Sequence, residues 1–455
     1  MTGYPRFTFV LAFVLIGLAP FASAAEPGEI PYSEQSAKEL DQLLYLMQEE
    51  AWHYRCFGLF RLERFTGEEV NAAILKALSD KDWQVRCFAL RAAARHGVSV
   101  PEGAFDKETE ARVIRMAQRV EVPISPVQVK RVAEKEMRSK MPERAVLGIE
   151  IAARSGDDKL ESMAKRRLGQ LLQGMTPAVQ VTIGDRLAAL LGIKPAPQTL
   201  QAWEQVIEKK GANLRFPEFE PLTEAIRAQP ISPIAQMDAK AFLEAVDYID
   251  TLHKQDLQIA VLIDGTGSMG SVIAQAQGQT NRLMLTLNDL AQSMEMGVVV
   301  YRDTGDRPML EAVQMTDKVS KVRSFLFEVK AQGGGDFPEA VYDGLSALMQ
   351  LNWDSVTVKQ AVIITDAPAH EENLKSIETM VKGMRKDGLT IHALMLSGHP
   401  QTKACLEMIS KAGGGTLKPM SQAGDLAKTV LHYVVDPKMH ETFDHLYDLY
   451  VEMGM

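Results

Sequence analysis

Residues 257–270 read LQIAVLIDGTGSMG, an apolar run that stops at Asp264 and then offers hydroxyls at Thr266 and Ser268. Leu257 to Ile263, with polar Gln258 near the entry, has the length and branched apolar content of a strand buried on both faces, as a parallel strand reads. Asp264 then lies at a carboxyl end, the edge of an open α/β sheet where ligands bind. An acid followed by hydroxyls at alternate positions makes a cup of hard oxygen ligands, which suits a divalent cation.

Gly265 to Gly270 also satisfies G-x-G-x-x-G, the dinucleotide fingerprint. Two features speak against it. The Asp264 carboxylate would sit beside the pyrophosphate, and no acid ends a second strand about twenty residues on, where a ribose contact belongs. The chain there still runs through Leu283, Leu287, Leu290 and Met294 at helical spacing. No nucleotide is expected. The plainer alternative is a glycine-rich strand-to-helix turn capped by Ser268.

Asp264-Gly265-Thr266-Gly267-Ser268 resembles the D-x-[ST]-x-S motif of the von Willebrand factor A domain, whose metal-ion-dependent adhesion site holds Mg²⁺ or Mn²⁺. Val299 to Asp303 reads as the next strand and its loop, and Ala361 to Pro368 as another apolar run ending in Thr365-Asp366. The resemblance covers residues 256–434 and implies Asp264, Thr266, Ser268 and Asp366 as metal ligands. Many A domains place a threonine ligand where this chain has Gly333 to Ala340, and none stands there. The segment Asp336-Phe337-Pro338-Glu339 resembles instead the D-x-P-E segment of integrin β subunits, with Tyr342-Asp343 as the aromatic-Asp pair that follows. That resemblance implies that Glu339 replaces the threonine and that Asp336 and Asp303 face a second site, for Ca²⁺. An asparagine used there in integrins falls on Gly334.

By residue pattern alone, Asp336-x-x-Glu339 is also a capping box opening a helix over Glu339 to Leu351, with Pro338 in its first turn. Asp303 and Asp306 read as solvated turn residues. His370, His392 and His399 stand isolated, without the spacing of a zinc site.

The chain has 455 residues, 46% of them hydrophobic, and a formal charge of -9 without any compensating basic run, which removes the case for nucleic-acid binding. Residues 1–24 read as a signal peptide: Arg6, the apolar stretch Phe7 to Pro20, and the A-x-A site Ala22-Ser23-Ala24. The stretch is short for a membrane span, and the acidic Ala25 to Glu29 is no stop-transfer flank. A secreted or periplasmic protein is expected, with no transmembrane segment after cleavage.

Trp52 to Leu59 and Trp83 to Leu90 share Trp, Arg, Cys, Phe and Leu at a period of 31, which signals stacked helical hairpins. Adjacent helices pack about 8–10 Å apart, farther than the Cα separation of a disulfide, so Cys56 and Cys87 are expected as buried free thiols. The repeat resembles the short HEAT-like type through Asp82-Trp83-Gln84-Val85-Arg86. The fold expected is multidomain: HEAT-like all-α repeats over 31–195, a connector with short helices over 196–255, a doubly wound, Rossmann-like α/β A domain with a mostly parallel sheet over 256–436, and a helical tail over 437–455. Its strands are placed at Leu257–Ile263, Gly297–Tyr301, Gln360–Thr365, Thr390–Leu396 and Thr416–Lys418. Its helices are placed at Val272–Met294, Asp317–Lys330, Glu339–Leu351, Ile377–Lys386, Lys403–Lys411 and Ala423–Val434.

The function this implies is metal-dependent protein binding, for adhesion or scaffolding, in which the cation accepts an acidic residue of an unidentified protein ligand. No enzyme is expected. The alternatives are a metal-free scaffold that binds through the repeats, and a metal-assisted hydrolase using a cation-bound water.

Overall fold

The computed structural model describes residues 34–453, apart from 195, 198–199, 211–213, 336, 356 and 421–425. The signal peptide and the start of the helix expected at Ala423 lie outside the described residues. The described residues begin with helices α1 (Glu34–Leu46), α2 (Trp52–Arg61), α3 (Glu68–Ala77), α4 (Trp83–His96) and α5 (Ala111–Arg119). There follow α6 (Pro126–Met137), α7 (Pro142–Ala153), α8 (Asp158–Gln173) and α9 (Pro177–Leu190). Pro126, Pro142 and Pro177 each open a helix, where the missing N–H costs nothing.

The period of 31 has a structural meaning. Trp52 and Trp83 are the first residues of α2 and α4, which pack together, and Cys56 and Cys87 are buried free thiols. The matching arginines build a ladder between hairpins: Arg55 donates to Asp80 at 2.7 Å and Asp82 at 2.6 Å, and Arg86 donates to Glu108 at 2.7 and 3.0 Å. On α8, Leu160, Ala164 and Leu168 turn inward, and Met163 is 38% exposed.

The connector carries α10 (Leu200–Lys210), α11 (Thr223–Ala228), α12 (Pro233–Gln236) and α13 (Ala239–Leu252). It folds back on the hairpins. Trp203 is fully buried in the core of α5 to α9, α11 lies on α4, and α13 on α2.

Among the described residues six strands follow: β1 (Asp256–Asp264), β2 (Ser293–Tyr301), β3 (Leu310–Thr316), β4 (Val358–Thr365), β5 (Leu389–Met395) and β6 (Gly414–Pro419). Their order is β3-β2-β1-β4-β5-β6, with β3 antiparallel and every other pair parallel. The helices between and after them are α14 (Gly270–Leu290), α15 (Val319–Glu328), α16 (Val341–Met349), α17 (Leu374–Lys386), α18 (Pro400–Ala412), α19 (Leu426–Val434) and α20 (His440–Met453). The alternation of β1 divides the core: Ala260 and Leu262 face α16, α17 and α18, while Ile259, Val261 and Ile263 join a core shared with α14, α19 and the first hairpins.

Three expectations are corrected. The helix expected to run to Met294 ends at Leu290, and Met294 is a buried residue of β2; its apolar spacing fitted either element. The edge strand β3 was not expected, because its first five residues are exposed or part-exposed and Glu311 and Gln314 interrupt its apolar residues. The helix expected from Glu339 begins at Val341, with Ala340 as its unassisted N-cap. Glu339 instead forms a parallel bridge to Ala369 and donates its N–H to Pro368 at 2.9 Å, so the helix does not open at Glu339; Asp336, the other half of the expected capping box, lies outside the described residues.

The helical part and the sheet are bolted together. The α9 helix lies along α14, with the Thr182 hydroxyl donating to the Gly278 carbonyl at 3.0 Å, and Arg323 of α15 donates to Glu143 of α7 at 3.2 Å.

Candidate functional site

The register of the sheet brings the two acid-bearing strand ends together. Ile263 of β1 pairs with Ile364 of β4, so Asp264 and Thr365 are neighbours at the carboxyl edge. Asp264 is fully buried. Its Oδ1 accepts the Thr266 N–H at 2.9 Å and the Thr266 hydroxyl at 2.7 Å, and its Oδ2 accepts the Thr365 hydroxyl at 2.7 Å. Burial pushes this carboxyl up from its ordinary value, Asp366 adds to the push, and the bonds from Thr266 and Thr365 oppose it. Thr266 and Ser268 set their hydroxyl oxygens 3.4 Å apart, and Ser268 is exposed.

Glu339 closes the cup from the loop before α16. It is 4% exposed, and its Oε2 is buried without a hydrogen-bond partner. Burial, then the charges of Asp264, Asp303, Asp306 and Asp366, push its carboxyl up to about 9. A buried carboxylate ringed by acids and lacking a partner is costly unless a cation compensates it. Gly334, at φ +83°, lies against the same place, where a Cβ would come within 3.1 Å of Thr266 Cβ and 3.2 Å of Glu339 Oε1. The missing side chain keeps the space over the hydroxyls and the glutamate clear.

Asp303 is buried at 6% exposure and pairs with the His370 ring at 3.0 Å, which overturns its reading as a solvated turn residue. Asp306 staples two loops: its Oδ2 accepts the N–H of Asp303 at 3.1 Å and of Gly334 at 2.9 Å. Asp366 is half-buried, with its carbonyl accepting the Thr402 hydroxyl of α18 at 3.3 Å. Asp336 lies outside the described residues, so the pairing of Asp336 with Asp303 has no geometry to describe. Sequence reasoning placed none of Thr365, Asp306 and His370 in the site, reading Asp306 as a solvated turn residue and His370 as isolated. The dipeptide Thr365-Asp366 at the end of an apolar run was the available signal for the first; the other two are placed only by the meeting of loops.

Among the described residues, no three His, Cys, Asp or Glu side chains form a ready metal cage. A cation here would draw on hydroxyls and water as well as carboxylates, as a hard-oxygen site does.

Residues 258–417 match the family model of the von Willebrand factor A domain. The C-terminal part of the chain carries a von Willebrand factor A domain. The alpha-protein kinase vwkA of Dictyostelium discoideum is 25% identical over 144 residues, which take in 30% of this chain and 23% of that protein. The chain thus spans about a quarter of that curated relative's length. A von Willebrand factor type A structure from Catenulispora acidiphila is 16% identical, covering 42% of this chain and 41% of that one, with a TM-score of 0.30. The open conformation of the pilus adhesin SpaC from Lactobacillus rhamnosus GG is 15% identical, covering 39% and 29%, with a TM-score of 0.31. In this chain the A domain presents Asp264, Thr266, Ser268, Glu339 and Asp366 at one sheet edge, and that edge is its candidate site.

Proposed function

We propose that this chain is an exported, metal-dependent protein-binding module rather than an enzyme, built on a helical scaffold. Asp264, Thr266, Ser268, Glu339 and Asp366 would hold Mg²⁺ or Mn²⁺, some directly and some through water. The bound cation would supply an electrophilic centre for a carboxylate of a partner protein. Asp264 orients Thr266, Thr365 anchors Asp264, and Asp306 holds the glycine loop over the cup. The observation that carries this reading is the buried, unpartnered Glu339 Oε2 among four neighbouring acids. A second cation, Ca²⁺, would lie beside Asp303 and Asp336, where Asp303 is already paired with His370. The surfaces by which the hairpins would dock a partner without metal are in part spent on this chain's own A domain, which favours the metal reading.

The test is thermal melting of residues 25–455 in EDTA, Mg²⁺, Mn²⁺ and Ca²⁺, beside Ser268→Ala and Asp264→Ala. Ser268→Ala removes an exposed hydroxyl and leaves the fold intact. A ligand at a hundred times its dissociation constant stabilises by about 2.7 kcal/mol. A rise with Mg²⁺ or Mn²⁺ that both variants lose supports the site; no rise at millimolar metal sinks it.

A further inference from the structure

The large apolar side chains of a folded surface are mostly turned inward, and one that is held rigid while exposed beside a binding cup is a candidate anchor. Phe337 is such a residue. It is 42% exposed, stands two positions before Glu339, and meets the His399 ring edge-to-face with centroids 4.4 Å apart. Both members of this pair are fixed to the cup. On one side, Glu339 bridges to Ala369 and donates to Pro368. On the other, His399 caps α18 through Gln401 N–H at 3.4 Å, and Thr402 in the same first turn holds the Asp366 carbonyl. Phe337 thus stands on the loop that carries Glu339, and His399 opens the helix whose Thr402 holds the Asp366 carbonyl.

We propose that Phe337, backed by His399, is a specificity-determining contact that selects partner segments in which the metal-bound Asp or Glu has a Phe, Leu, Ile or Met beside it. This rests on the metal-site reading above. The charge of a loaded cup fixes the acid, and spacing fixes its neighbour. Phe337 stands two positions before Glu339, so roughly 7 Å of extended chain at most separates them, the span covered by residues one or two positions from the acid of an extended peptide. A held aromatic ring also loses little freedom on binding, which is why such residues dominate interfaces.

The test is an array of pentapeptides with a central Asp or Glu, each neighbour varied through all residues. It is probed with labelled residues 25–455 in Mg²⁺ and in EDTA, and the same preparations are melted with and without metal. Expected are Mg²⁺-dependent binding that favours an apolar neighbour, about tenfold weaker binding by Phe337→Ser, and recovery by Phe337→Leu. Phe337→Ser keeps the metal-induced rise in melting temperature. A normal metal rise with no apolar preference, with no peptide bound, or with Phe337→Ser binding like the parent overturns the inference and leaves the metal site standing. Loss of the metal rise in the parent protein overturns both.

Discussion

Replacing Glu339 by Gln separates an uncompensated ligand from a structural carboxylate by the sign of its effect. In the metal-free protein the Glu339 carboxyl is pushed from 4.5 up to about 9, by burial and by Asp264, Asp303, Asp306 and Asp366. A group with a raised folded value contributes its stability in full below its unfolded value and loses it as pH rises through the folded one. In EDTA the stability of the parent protein should therefore fall between pH 4.5 and 9, at up to about 1.4 kcal/mol per pH unit. At pH 7 the deficit reaches about 3 kcal/mol as a ceiling. Glu339→Gln keeps the shape and has no proton to hold, so in EDTA at pH 7 it should melt higher than the parent, by up to roughly 3 °C for a chain of this size. The two should converge near pH 4.5. With saturating Mg²⁺ the order should close or reverse, because the parent gains about 2.7 kcal/mol at a hundred times its dissociation constant and the variant does not. The assay is paired thermal melts from pH 4.5 to 9, with EDTA and with Mg²⁺. A variant less stable than the parent in EDTA would refute the reasoning, since it would mean that the carboxylate is already well satisfied.

Three other outcomes follow from single sites. Gly334→Ala should cost about 1–2 kcal/mol from its left-handed backbone and blunt the metal response by crowding Thr266 and Glu339, whereas Gly335→Ala, which meets nothing within 4 Å, should melt like the parent. Burial raises the Glu150 carboxyl, but the guanidinium groups of Arg115 and Arg186 outweigh it and hold Glu150 at about 2. Its contribution, about 3 kcal/mol, is present above pH 4.5 and should disappear as pH falls toward 2; Glu150→Gln should cost about 3–5 kcal/mol at pH 7 by stranding buried arginines, both read from denaturant midpoints. Cys56, Cys87 and Cys405 are buried and free, so a thiol reagent should label all three in denaturant and react slowly with the native protein; a native disulfide would show as fewer than three.

The centre of the fold was legible because it rests on local signals. The apolar run ending at Asp264 reads as a parallel strand and is the central β1, and the repeat of Trp, Arg and Cys at a period of 31 falls on α2 and α4, which pack together. What was missed depends on where elements meet. The β3 strand is an edge with one face partly wet, so its sequence lacks a continuous apolar run. Glu339 looked like a helix-opening acid because its spacing to Asp336 satisfies a capping box. The parallel bridge to Ala369, more than two dozen residues downstream, draws the chain straight for two residues more before α16 begins. Asp303 looked like a solvent turn because sequence could not supply His370 as its cover.

The helical hairpins bear on the site through the core they share with it. The face of the sheet carrying Ile259, Val261 and Ile263 is covered by α14 and α19, and the same core continues into residues of α2 and α4. The α14 helix begins directly after the hydroxyl-bearing turn and is clamped along its length by α9 through Thr182 and Gly278. A cup whose acid sits on a central strand and whose hydroxyls open a clamped helix is preorganised, and preorganisation is what lets a few hard oxygens hold a strongly hydrated cation. The helical part therefore bears on the candidate site without touching it, by fixing the helix that follows the turn on which Thr266 and Ser268 are presented.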